Sequence, residues 1–179
     1  MKTLYLLVIL FIGCMPPQQF SVFERTDAFH PGKTEFFSSL LNLSKSIQGN
    51  SFYKLCTFTD TTSTEMLYTI QILYSGNDWM FIRGLMFLCD GKPISIKPVG
   101  DPNRSVGNEF SSTRVNESQL FYLPDSVVLC VKSASEIVMR LIGENFYHEK
   151  YLDSADLGHL KFYYTFIDTG VIKKQQSTR

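Results

Sequence analysis

The chain lacks an excess of either charge: 17 Lys and Arg balance 17 Asp and Glu across 179 residues. A neutral chain without a basic run has no electrostatic footprint for nucleic acid, so no nucleic-acid partner is expected. Lys173, Lys174 and Arg179 gather at the C-terminus, where a solvated, frayed end accounts for them. There is no Gly-x-Ser-x-Gly elbow, no Gly-x-Gly-x-x-Gly turn and no phosphate loop, which removes three signatures of nucleophile and nucleotide chemistry. Histidine occurs three times and tryptophan once. Internal repeats and low-complexity tracts are absent.

What is present describes a folded, β-rich domain. Hydrophobic residues make up 44% and charged residues 19%, a globular balance. The 15 Phe and 9 Tyr fit a pleated, half-buried surface and tilt the expectation toward strands.

The N-terminus reads as an address. Lys2 supplies a positive charge, and Leu4 to Ile12 is an uncharged apolar run. As a helix that run is about 14 Å long, too short for a bilayer core of about 30 Å. Gly13 and Cys14 follow at once. A basic start, a short apolar core and a small residue at the cut make a secretory signal. Phe11-Ile12-Gly13-Cys14 resembles the lipobox of bacterial lipoproteins, with Phe11 standing where Leu is usual. The resemblance implies a diacylglyceryl group on the Cys14 sulfur, cleavage before it, and acylation of the new amine. Two or three acyl chains anchor stably where one does not. Met15 after the cysteine, in place of Asp, implies the outer rather than the inner membrane. The alternative is a plain signal peptide cut near Cys14-Met15, or an uncut anchor. Residues 1–13 are thus expected as signal, 14–19 as a Pro/Gln tether, 20–169 as one globular domain and 170–179 as a flexible tail.

Cys56, Cys89 and Cys130 remain. An exported chain permits a disulfide between two of them, with at least one left free; each sits in an apolar stretch and is expected as a buried free thiol acting as a small hydrophobe. Their spacing matches no zinc pattern, and neither metal nor cofactor is expected.

Along the chain, strands are expected over 20–29, 34–43, 51–59 and 66–74, the last as a central strand with β-formers on both faces. The segment from Asp60 to Thr64 reads as a polar loop. Short strands at 79–82 and 85–89 flank Gly84, and Asp90-Gly91 signals a tight hairpin with return strand 94–96. Val99 to Ser105 reads as a Pro/Gly/Asn loop, and 110–122 as a long edge strand. Pro124-Asp125 suits the start of a short helix to Lys132, although the β-branched run Val127–Val131 competes. Residues 136–142 and 146–152 read as a hairpin about Gly143. Leu157, Leu160, Tyr164 and Ile167 form one helical stripe, capped by Asp153 or Ser154 and ended by Gly170. The expected class is α+β: an antiparallel sheet or sandwich with a C-terminal amphipathic helix and one shorter helix. The segments 74–82, 88–94 and 138–143 resemble a diffuse group of uncharacterised bacterial lipoproteins and secreted proteins. That resemblance spans 66–168 and implies the topology alone.

No catalytic residue is assigned. His30, His148 and His159 are expected at the surface, and the pair Asp153 and Asp156 as helix-start carboxylates. Trp79 reads as a core anchor, with a binding-surface aromatic as the sharper alternative. Arg83, Arg104 and Arg114 are scattered, while Arg140, opposite an apolar strand face, is expected in a cross-strand ion pair. The role expected is a non-enzymatic, lipid-anchored envelope protein whose partners are the membrane, through Cys14, and an envelope or host protein. Two other roles stay open. One is an envelope hydrolase built from His148, His159, Asp153 and Asp156. The other is a secreted eukaryotic binding module, for which Asn42, Asn103 and Asn116 would be glycosylation sites.

Overall fold

The computed structural model describes residues 20–28, 30, 32–60, 66–109 and 112–177. The segments expected as signal (1–13) and lipid-anchored tether (14–19, with Cys14), and the threonine-rich stretch 61–65, lie outside them. In chain order the elements are β1 (Val22–Thr26), β2 (Lys33–Ser38), β3 (Leu41–Lys45), β4 (Gly49–Asp60), β5 (Met66–Gly76), β6 (Ile82–Cys89) and β7 (Lys92–Ile96). They continue as β8 (Pro98–Glu109), β9 (Ser112–Tyr122), α1 (Asp125–Ser133), β10 (Ile137–Gly143), β11 (Tyr147–Tyr151) and α2 (Ser154–Ser177). The result is an α+β fold of antiparallel strands with a sandwich-like layout.

The larger sheet has the order β1-β2-β4-β5-β9-β8, with β3 also paired to β4. Strands β2 and β3 run along the same edge of β4 and are separated by Ser39-Leu40. At that break the Ser38 hydroxyl accepts the Leu55 N–H at 3.0 Å, replacing a lost ladder bond. β5 is interior, as its two-sided β-formers predict. The smaller sheet is β11-β10-β6-β7.

Alternation along the larger sheet sends Tyr53, Leu55, Ile70, Ile72, Tyr74 and Phe121 to one face, all buried. Two structures cover that face. At one end lies α2: Tyr164 meets Tyr68 edge-on at 5.6 Å, and the Tyr163 hydroxyl donates to the Phe36 carbonyl at 2.9 Å. At the other end lies the smaller sheet, where Phe146 and His148 pack on Tyr74. α1 adds Val127, Val128 and Val131 on one helical face while Leu129 points out. Pro124 at the N-cap and Asp125 in the first turn resolve the contest there in favour of helix.

Several expectations are corrected. β6 is one strand that passes through Gly84, and Trp79 precedes it. Residues 99–105 are not a loop. They belong to edge strand β8, and their Gly100-Asp101-Pro102 forms a bulge where the register shifts between Val99 and Asn103. An edge strand tolerates proline and extra residues, here two, because one side of its ladder is free. β9 is not an edge, because β8 covers it. Gly170 does not end α2, which continues to Ser177. A single glycine inside a helix costs only about 1 kcal/mol and does not force a stop. Cys89 and Cys130 are not free: they form a disulfide with Cα atoms 6.2 Å apart, within the usual span. Cys56 is free and buried.

The turns follow their sequence signals. Asp90 and Gly91 both have positive φ, 44° and 80°, as a two-residue hairpin of the primed type needs. The Asp90 carboxylate also accepts N–H bonds from Ser135 and Glu136, tying this hairpin to the segment that leads into β10.

Candidate functional site

β11 brings His148 against the β3–β4 turn. It is 3% exposed, not a surface residue. The sequence hides this because the cover over β11 comes from residues about a hundred positions away. Its Nδ1 lies 2.7 Å from the Ser51 hydroxyl and its Nε2 lies 3.2 Å from the Ser46 hydroxyl. Burial holds its pKa below the ordinary value, so the ring is neutral.

A serine beside a neutral imidazole is the start of a nucleophile, so the protons must be placed. With the proton on Nε2, the Ser51 hydroxyl donates to Nδ1 and the Nε2–H donates to Ser46. The Ser46 hydroxyl then donates to the Gly49 carbonyl at 3.1 Å while accepting the Gly49 N–H at 3.3 Å. Every polar atom is satisfied in this arrangement, and Ser46 is locked into its turn. The trio acts as a staple between β11 and the β3–β4 turn.

The other sequence suspects separate into structural roles. The Asp153 carboxylate caps α2, accepting the N–H groups of Ala155 and Asp156 at 2.9 Å each. Those bonds, Asp156 first, hold its carboxyl below the usual range. Asp156 pairs with Lys150, which also donates to the Asn42 carbonyl. His159 stacks on Phe20 at 4.6 Å, and His30 pairs with Asp27 at the surface. Arg140 pairs across the hairpin with Glu149, its register partner. Arg83 pairs with Glu144. Trp79 is half-buried against the core. Of the sequon asparagines, Asn103 is exposed on β8, and Asn42 and Asn116 are half-buried on strands.

Sequence reasoning passed over Glu117. It faces the inner side of β9 and is 1% exposed. Its carboxylate accepts the Phe81 N–H at 2.8 Å and the Ile82 N–H at 3.2 Å, with Arg104 Nε at 3.5 Å. Phe81 has a φ of 54°, rare for an aromatic residue. The carboxylate bonds hold that conformation at the entry to β6. Tyr74 lies nearby, its phenol pushed up to about 12 by burial and then by the charges of Glu117 and Asp78. A polar residue at an inward strand position was the available signal.

The open ground lies on the outer face of the larger sheet. Phe58 and Leu67 are register partners, 41% and 44% exposed. Phe23 stacks on Phe37 at 5.4 Å, and the Lys54 ammonium lies over the Phe37 ring, 4.0 Å from its centroid. A cleft of about 940 Å³ opens between the β1–β2 hairpin and the ends of β4 and β5. Its lining includes Phe58, Met66 and Leu67 together with Lys33 and the Arg25–Glu35 ion pair. A largely apolar lining with a few charged groups is the usual make-up of a ligand or partner site. Among the described residues no group of three or more His, Cys, Asp or Glu is placed to hold a metal, and no helix is long and apolar enough to cross a membrane. No family model matches this chain, and no curated protein or solved structure does either.

Proposed function

We propose that this chain is an exported bacterial lipoprotein, anchored through Cys14, whose domain binds another envelope or host component rather than transforming a substrate. The observation that carries the address is the Cys89–Cys130 disulfide, joined to the signal-like N-terminus. Disulfides persist in oxidising compartments and are rare in a reducing cytosol. The cleft and apolar outer face around Phe58 and Leu67 support the binding role, because exposed apolar patches of this kind mark interaction surfaces. The outer membrane is the proposed site of anchoring, from Met15.

Fatty-acid labelling with intact mass tests the address. Label on the native protein that disappears in Cys14→Ala is the expected result. An unlabelled, soluble native protein overturns the anchor and leaves a secreted role. For binding, a photo-reactive group at Phe58 is expected to give one discrete adduct in intact envelopes, competed away by excess purified domain. The hydrolase alternative would centre on His148 and Ser51, whose hydroxyl donates to Nδ1, and Ser51→Ala is expected to leave any envelope phenotype unchanged.

A further inference from the structure

α2 presents an unusual outward face. Between 154 and 169 its charged residues are Asp156, Lys161 and Asp168, and each is turned back to the protein. Asp156 pairs with Lys150, Lys161 donates to the Ala134 carbonyl at 2.8 Å, and Asp168 pairs with Lys132. After the first residue, the exposed positions are Ala155, Gly158, Phe162, Thr165, Phe166 and Thr169, none of them charged. Phe162 is 54% exposed and Phe166 is 40% exposed, with rings 6.1 Å apart. A helix face turned to water normally carries charges.

Phe20 continues this face. It meets Phe162 edge-on at 6.1 Å and stacks on His159. Only five residues separate Phe20 from Cys14. Six Cα steps reach at most about 22 Å, so a lipid on Cys14 keeps these rings near the bilayer surface.

We propose that the outward face of α2, with Phe20, is a lipid-contacting surface that seats Phe162 and Phe166 in the headgroup region of the anchoring membrane. The proposal rests on the lipid-anchor reading. Phenylalanine is among the residues that line the membrane-facing side of interfacial helices, at the boundary of headgroups and acyl chains. Two rings on one face bind weakly by themselves, but a short tether makes the contact intramolecular and raises its effective concentration. Contact along α2 would fix the domain's orientation and leave Phe58 and Leu67, on the opposite face of the larger sheet, turned away from the lipid.

The test couples the chain from Cys14 onward, through that thiol, to maleimide lipid in phosphatidylcholine–phosphatidylglycerol vesicles. Cys56 is buried and does not compete. In a Trp79→Phe background, the Phe162→Trp variant reports on α2 and Phe58→Trp on the far face. Brominated acyl chains are expected to quench Phe162→Trp about twofold and to spare Phe58→Trp. No quenching at 162, or equal quenching at both, overturns the proposal. If either variant misfolds, hydrogen exchange on the unsubstituted chain decides: slowing over 154–169 on vesicles supports the contact, and unchanged exchange overturns it. A dimer in sedimentation that Phe166→Ser dissolves would assign the face to a second copy and overturn it too. Because coupling is chemical, failed quenching sinks only the contact, while failed fatty-acid labelling in the cell sinks the anchor.

Discussion

His148 stands with one serine at each ring nitrogen and the rings of Tyr74 and Phe146 beside it. Its environment suits the neutral imidazole, and burial lowers its pKa from the ordinary 6.5. The unfolded chain therefore binds more protons than the folded one just below that value. The stability that His148 contributes is complete above about pH 6.5 and is lost as the pH falls from there through the folded pKa. Chemical denaturation at about pH 7.5 and pH 5.5 is expected to show lower stability at the acid point, with a slope of up to about 1.4 kcal/mol per pH unit for one proton. His148→Gln should flatten that slope whatever its effect on stability at neutral pH. An unchanged slope would show that other groups set it. The window lies above the carboxylates: Asp90 and Asp153 are held below the ordinary range by backbone N–H groups and release their contributions only in stronger acid. At this scale the sequence was a poor guide. It marked His148 as a candidate but placed it at the surface, since nothing local to β11 shows that the β3–β4 turn covers it. Arg140 was legible, because strand alternation and a hairpin register place it opposite Glu149 by local rules.

Among the elements, α1 depends on a bond between distant parts of the chain. Cys130 joins it to Cys89 at the end of β6, closing a loop with a sequence separation of 41. The entropy of closing a loop of that length corresponds to about 4 kcal/mol of stability. Cys89→Ser with Cys130→Ser, or reduction, is expected to lower unfolding stability by about that amount in urea denaturation. In the native disulfide form, thiol titration of the domain from residue 20 onward should find its single free cysteine, Cys56, unreactive until unfolding. Prompt reaction of two further thiols would mean that the bridge does not form. The pairing was not legible in the sequence, where three apolar cysteines looked alike. It required β6 and α1 to pack side by side. The helices were legible in part. The stripe Leu160, Tyr164 and Ile167 is buried as its spacing predicts, and Tyr163 joins it. The β8 bulge shows the opposite case. Gly100 and Pro102 are local turn signals, overridden because the edge of β9 offers a ladder to pair with.

Across the whole molecule, one apolar cluster joins both sheets and both helices, running from Phe36 and Tyr53 through Leu85 and Met139 to Tyr164 and Ile167. A shared core of this kind couples the elements into one cooperative unit. Trp79 fluorescence, reporting near the smaller sheet, and far-ultraviolet circular dichroism, reporting on all elements, are expected to give coincident denaturation curves. Separate transitions would mean that the smaller sheet unfolds by itself. The sequence alone determined the Asp90-Gly91 and Gly143 hairpins, the C-terminal helix, the interior character of β5 and the α+β class. Those features follow from periodicity, turn chemistry and caps, which act over a few residues. Tertiary structure decided the burial of His148 and Glu117, the disulfide partners, the rank of β8 as edge and β9 as interior, the choice of helix for α1, and the uncharged outward face of α2 between 154 and 169. Each of these depends on which distant segment lies alongside, and long-range packing sets that after the local patterns have formed.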